Sequence, residues 1–499
     1  SIMYRAAAGR IGPLKGYVGT RLSSSIAIAR RSSGGLFGWL TGGWSRSLPS
    51  PDHPLEDVSL VPSLPDYIEP SKTKITALSN GVKFASESSV SPVASIGLYV
   101  NCGSIYETPD TFGISYLLER MAFKTTTNRS HLRVVREVEA IGGNVVASAS
   151  RDQMSYTFDA LKGYVPEMVE LLIDSVRNSA YLDWELEEEL QFIKSQRAEA
   201  SKNPQAFLME AVHTVGYSGA LANPLLAPES AYDRLNGPIL EKFVSEHYMA
   251  PRIVVAASGV EHEELISAAE PLLSDLPSAP TPEEPKSVYV GGDYRCHADS
   301  KKAHFAIAFG FPRGRCNEKD ALTLTVLQML MGGGGSLSAG RPGKGMYSRL
   351  YRCLLNEHRE IEALSSFNRI YNDTSIFGIQ CTTSPNMVPE AVDIAAGELI
   401  SIAEPGEVDE VQLNRAKQLT KSSFLLESKA VASDMARQVL THGERKPVDH
   451  FLGLIDGVSV KDIVSVANTL LSSQVTFASY GNVLHVPSYD VVSKKFLSK

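Results

Sequence analysis

A chain of 499 residues, 43% hydrophobic and 21% charged, has an ordinary globular composition, with length enough for two to four folding units. No stretch approaches the roughly 18 consecutive apolar residues that a spanning helix needs, so any membrane contact is expected through partners. The formal charge of −8 is unevenly spread, because residues 1–51 hold seven basic side chains and no acid; the remainder stands at −15, which disfavours nucleic acid and favours basic partners.

The N-terminus reads first. Arg5, Arg10, Lys15, Arg21, Arg30, Arg31 and Arg46 are separated by Ser, Ala and Gly, and the first acidic residue is Asp52. This Arg-rich, Ser-rich, acid-free profile predicts an organellar transit peptide over 1–51, the other reading being a disordered basic tail for anionic lipid or nucleic acid. Ser1-Ile2 ahead of Met3 reads as a cloning or translation artefact, and residues 52–65 read as an extension before the first domain.

Two similar sets of elements follow. The strand-like SIGLYVNCG (95–103), the apolar helix TFGISYLLERMAF (111–123), the strand at 154–161, VPEMVEL (165–171) and VVAASGV (254–260) answer in order to HFAIAFGFP (304–312), ALTLTVLQMLM (321–331), SIFGIQCTT (375–383), VPEAVDI (388–394) and VTFASYGNV (475–483). The Val-Pro-Glu motif recurs at an offset of 223 residues, each time with Pro where it can open a helix without losing a hydrogen bond. Strands mixed with long helices, without a regular β-α-β rhythm, indicate an α+β fold. Pro277, Pro280, Pro282 and Pro285 mark the join. The expected organisation is a domain at 66–275, a linker at 276–287 and a second domain at 288–499.

In the second half Gly332, Gly333, Gly334, Gly335, Gly340, Gly343 and Gly345 place seven glycines within fourteen residues, with Ser336 and Lys344 among them. Such a run predicts a flexible segment, either a binding loop or a surface linker. It is no phosphate loop: Lys344 is followed by Gly345 instead of Ser or Thr, and no glycine precedes Gly343 by five residues. In the segment after it, Met346, Leu350, Cys353 and Leu354 have core spacing.

Metal chemistry finds little support. None of the eleven histidines forms H-x-x-E-H or H-E-x-x-H, and His262-Glu263-Glu264 is the nearest fragment. The five cysteines, Cys102, Cys296, Cys316, Cys353 and Cys381, contain no C-x-x-C pair. Unpaired thiols suit a reducing compartment.

The segments YVNCGSIYETPDTFGISYLLERMAFKTT (99–126), EAIGG (139–143), the helix after Trp184, and MGGGGSLSAGRPGKGMYSRLY (331–351) together resemble the alpha subunits of mitochondrial processing peptidases. These belong to the pitrilysin-like zinc peptidases, whose inverted motif H-x-x-E-H sets two imidazoles one helical turn apart beside a general base. The resemblance runs from about residue 65 onward and implies two similar α+β halves facing each other across a cavity.

It also implies a degenerate zinc site. The motif positions hold Tyr116, Glu119 and Arg120, and the third ligand, a Glu in active relatives, falls on Gln196, 76 residues beyond Arg120. An amide oxygen is a poor zinc ligand, Arg repels a divalent cation, and Tyr with a pKa of about 10 stays protonated. No metal or other cofactor is expected in this chain, and zinc is expected in a beta partner. Glu189 matches a second acidic position of the family helix, or else is a solvated charge in the run Glu185, Glu187, Glu188, Glu189.

The glycine segment is expected, by the same resemblance, to contact presequences. The implied role is non-catalytic recognition of basic presequence peptides for cleavage by a zinc-bearing beta subunit. Membership of respiratory complex III beside its other subunits, on the matrix side of the mitochondrial inner membrane, is expected as well. The alternative is a purely structural core subunit of ubiquinol-cytochrome c reductase.

Overall fold

The computed structural model describes residues 72–198, 203–279, 283–333, 347–352, 360–426 and 431–497. The predicted transit peptide and N-terminal extension lie outside the described residues, as do Pro280 and Pro282 of the join. Residues 70–499 form one compact unit.

Two sheets organise the described residues. The first contains β1 (Lys74–Ala77), β2 (Lys83–Glu87), β3 (Val93–Val100), β4 (Asn144–Ala149), β5 (Met154–Leu161) and, after the short β6 (Tyr217–Gly219), β7 (Ile253–Ser258), in the spatial order β1-β2-β7-β3-β5-β4. Beyond β8 (Ser287–Tyr289), which pairs antiparallel with β6, the second contains β9 (Gly292–His297), β10 (Ala303–Phe311), β11 (Ile361–Ile370), β12 (Ser375–Thr383) and β13 (Thr476–Gly481), in the order β11-β12-β10-β13-β9.

Laid side by side, the orders match: β4, β5, β3, β7 and β2 correspond to β11, β12, β10, β13 and β9. Orientation matches too, since β2 runs parallel to β7 and β9 parallel to β13, while the neighbouring pairs are antiparallel. The fold is α+β with two similar halves.

Seven described helices fall in each half, without the strand-for-strand correspondence of the sheets. The first half has α1 (Ile114–Met121), α2 (His131–Ala140), α3 (Val165–Arg177), α4 (Asp183–Ala198), α5 (Pro204–Gly216), α6 (Gly237–His247) and α7 (His262–Leu273). The second has α8 (Glu318–Met331), α9 (Val388–Ile402), α10 (Glu410–Leu426), α11 (Val431–His442), α12 (Val448–Asp456), α13 (Val460–Leu471) and α14 (Tyr489–Leu497). Pro166 and Pro389 sit in the first turns of α3 and α9, where an amide hydrogen has no intrahelical acceptor to lose.

Strand burial follows side-chain alternation. In β5 Met154, Tyr156, Phe158 and Ala160 point inward and their neighbours outward. In β10 every residue is buried, so both faces are covered. One face of each sheet meets its own half's helices: Phe84, Ile96, Phe158 and Val255 share a core with Leu117 of α1 and Leu172 of α3, and Phe305, Ile307 and Phe377 with Leu327 of α8 and Val392 of α9.

The opposite faces are covered by an exchange. Leu208, Ala211 and Val212 of α5, a first-half helix, pack on Ala306, Ala308 and Ala478 of the second sheet. Ala432, Met435, Ala436 and Val439 of α11, a second-half helix, pack on Ala85, Tyr99, Val254 and Ala256 of the first. Alanine on the central strands lets each helix axis lie close.

Polar contacts cross the same boundary. Arg315 reaches Asp152 at 2.5 Å, His213 Nε2 meets the Tyr371 hydroxyl at 2.7 Å, and Arg445 is ion-paired with Glu87. Burial alone would raise the Asp152 pKa, yet the Arg315 guanidinium holds it below its ordinary value.

Candidate functional site

The degenerate motif lies on α1, which is shorter than the expected helix at 111–123. It begins after Gly113, whose φ of 87° is left-handed and whose added Cβ would lie 2.2 Å from the Ala227 Cβ. It ends before Phe123, a non-glycine residue at φ 59°. At its N-terminus the Glu107 carboxylate accepts the Gly113 amide at 2.7 Å and the Ser115 amide at 2.8 Å. Burial pushes the Glu107 pKa up to about 7 in spite of those bonds and of nearby Arg151.

Tyr116, Arg120 and Glu189 meet across the α1–α4 contact. Arg120 Nε lies 2.9 Å from Glu189 Oε2, and Lys124 Nζ lies 3.0 Å from Glu189 Oε1. The Arg120 guanidinium also stacks over the Phe192 ring, 4.5 Å from its centroid. Glu189 is 7% exposed, so the reading of a solvated charge gives way to a buried carboxylate between two cations. The reason is helical spacing: Glu185, Leu186, Glu189 and Ile193 share the inward face of α4, whereas Glu187 and Glu188 point to solvent.

The remaining positions are satisfied within the protein. Tyr116 donates its hydroxyl hydrogen to Gln196 Oε1 at 2.9 Å, and Glu119 Oε2 accepts the Ala149 amide of edge strand β4 at 2.7 Å. Burial, with Glu119 close by, raises the Tyr116 pKa, and burial raises that of Glu119. These residues do not fit a zinc ion. A guanidinium and an ammonium flank the buried Glu189 carboxylate, and none of these residues is an imidazole. Among the described residues no group of three or more His, Cys, Asp and Glu side chains is arranged to hold a metal.

Other sequence candidates are structural. His262 bridges Thr76 Oγ1 at 2.8 Å and Ser86 Oγ at 2.9 Å, pinning α7 to β1 and β2. Cys102, Cys296, Cys316 and Cys381 are free thiols, and burial pushes Cys102 and Cys381 up to about 12. Cys353 lies outside the described residues.

Only the base of the glycine segment is described. Gly332, at φ 123°, closes α8, and an added Cβ there would lie 2.7 Å from Ser348 Oγ. The Gly333 amide bonds to the Gln328 carbonyl at 2.9 Å, and a Cβ at Gly333 would lie 2.2 Å from the Ser366 carbonyl oxygen of β11. Both glycines are therefore required for close packing. On the far side Arg349, 10% exposed, binds Glu398 Oε2 at 3.1 Å, the Glu407 carbonyl at 2.7 Å and Ser401 Oγ at 2.9 Å. Leu350 is buried. Gly334, Gly335, Ser336, Gly340, Gly343, Lys344, Gly345, Met346 and Leu354 lie outside the described residues.

Residues 83–229 match the family described as insulinase (peptidase family M16), and residues 235–420 match the peptidase M16 inactive domain. The chain is 62% identical over 504 residues to the mitochondrial-processing peptidase subunit alpha of Solanum tuberosum, covering 100% of both chains. The chain belongs to the mitochondrial-processing peptidase alpha-subunit family.

Another member of that alpha-subunit family, the probable alpha-2 subunit of Arabidopsis thaliana, described as chloroplastic/mitochondrial, is 56% identical over 99% of this chain and 100% of its own. Human cytochrome b-c1 complex subunit 2 is 29% identical over 85% of this chain and 92% of its own. Inspection of motif positions misses Lys124, Phe192 and Glu107. Two carry a sequence signal, since Lys124 follows Arg120, and Phe192 precedes Gln196, by four residues on the same helical face or its extension. Glu107 has none, because it reaches α1 from a preceding loop.

Proposed function

We propose that this chain is the non-catalytic alpha subunit of a mitochondrial processing peptidase, recognising basic presequences for cleavage by a zinc-bearing beta subunit. One observation carries the reading: the place where an active relative would bind zinc is filled by the Arg120–Glu189–Lys124 ion triad and the Tyr116–Gln196 hydrogen bond. Glu119 is left as a general base with no metal-bound water to act on. The mature charge of −15 favours a basic ligand.

Presequence contact is assigned to Gly334, Gly335, Ser336, Gly340, Gly343, Lys344 and Gly345, with Gly332 and Gly333 as the anchored base. The domain limits proposed are 66–275 and 288–499 about a linker at 276–287, behind a transit peptide at 1–51 and an extension at 52–65. The workplace is the matrix side of the mitochondrial inner membrane. Similarity to human cytochrome b-c1 complex subunit 2 favours a second role as a core subunit of complex III beside its other subunits.

Metal analysis and peptide hydrolysis of the purified chain, alone and with the beta subunit, test the reading. Alone it is expected to hold no stoichiometric zinc and to cleave no presequence peptide; with the beta subunit, cleavage is expected. One tightly held zinc per isolated chain would overturn it.

A further inference from the structure

On α4 the exposed ridge beside the filled site is unusual in its chemistry. Trp184 is 61% exposed and Phe192 is 42% exposed, on a helix whose other face is well buried. Their spacing of eight residues puts them on one i+4 row, about 12 Å apart along the axis. Glu188 lies between them on that row, and exposed Glu187 adjoins it. Neither glutamate has an ion-pair partner among the described residues. The row continues to Gln196, and Phe192 carries the Arg120 guanidinium on one face.

We infer that this ridge docks the basic amphipathic stretch of a presequence. The inference rests on the proposed recognition role and adds a second contact surface to the glycine segment. Charge complementarity selects the occupant. Arginines spaced along one face of a helix meet Glu187 and Glu188 and stack on Trp184, while apolar residues of the adjacent face cover Trp184 and Phe192. A neutral apolar partner would leave both carboxylates desolvated and unpaired, and an acidic one would be repelled. The same α1–α4 contact that holds zinc in an active relative thus presents, here, the side of a binding face.

The test uses a reporter already in the chain. Trp39, Trp44 and Trp184 are its three tryptophans, so the chain without residues 1–51, the proposed mature form, emits from Trp184 alone and carries no tethered copy of the probe. The probe is a synthetic peptide of residues 1–36 of this chain, which has six basic side chains, no acid and no tryptophan. Binding is measured by anisotropy of the labelled peptide and, in parallel, by Trp184 emission.

Emission is expected to shift with the same concentration dependence as anisotropy. E187Q/E188Q should weaken binding roughly two- to thirtyfold, the range for two exposed charge pairs, and a peptide with its six basic residues replaced by Gln should not bind. Peptide binding with unchanged Trp184 emission and unchanged affinity in E187Q/E188Q would overturn the docking ridge while leaving presequence recognition intact. Emission of a buried tryptophan in the free chain would also overturn it, by making the ridge a face covered by the chain itself. Failure of the peptide to bind either the chain or its complex with the beta subunit would strike at the recognition role itself.

Discussion

At the residue scale, the motif positions set one carboxylate, Glu119, among side chains that do not fit a metal ion. Glu119 keeps its place on α1, but its carboxylate is engaged with the β4 backbone through Ala149. Glu119→Gln, which keeps an oxygen acceptor, is expected to lower processing by the assembled peptidase less than about twofold, whereas the matching change in the beta subunit should abolish turnover. Assays of both variants on one precursor decide the matter. A second residue-level expectation concerns Glu107, with an ordinary pKa of 4.5 raised to about 7 by burial. The folded state binds this proton more tightly than the unfolded one, so the stabilisation is full below pH 4.5 and is lost as pH rises through about 7. Glu107→Gln should flatten that part of the stability profile, as read by denaturant unfolding across the same pH range; parallel profiles for the two proteins would remove Glu107 as the cause. The identity of Tyr116, Arg120 and Gln196 was plain in the sequence, but the burial of Glu189 was not, because four glutamates in five positions look alike until the helix has a partner.

At the element scale, the glycine segment joins two anchors. Gly332 and Gly333 are bound to α8 and β11, and Arg349 ties the other end to α9 and the turn beyond it. Deleting residues 334–345 leaves both anchors in place. Assembly with the beta subunit is therefore expected to persist, while presequence affinity and processing fall by about tenfold or more, measured by peptide binding and precursor cleavage. Normal processing by the deleted complex would reduce the segment to a connection. The sequence made β5 and β12 legible to the residue, since 154–161 and 375–383 are β-rich runs bounded by turn residues. It overextended α1, because the apolar pattern runs through Ala122 and Phe123 while the backbone turns out of the helix there. Edge strands such as β1 and β4 escaped for the opposite reason: exposed KITA and half-exposed NVVASA hold too little apolar pattern to announce a strand.

At the scale of the whole molecule, the repeat was legible but the exchange of α5 and α11 was not. A helix such as PQAFLMEAVHTVG declares its periodicity and not the sheet on which it will lie. The complementary signal is the alanine on the central strands, at Ala306, Ala308 and Ala478 in one half and Ala85 and Ala256 in the other. Met435 of α11 is fully buried on the first sheet although it belongs to the second half. Met435→Ala should cost about 2–5 kcal/mol and lower the stability of both halves together, giving a single shifted transition in calorimetry rather than loss of the second half alone. Each half donates one helix and accepts one, which is the geometry of a domain-swapped dimer whose two copies have been fused in tandem. Continuity of the polypeptide across the join is then dispensable for cohesion: chains ending near residue 280 and beginning near residue 283, produced separately and mixed, should find each other and rebuild the intact particle, as size-exclusion chromatography of the mixture would register.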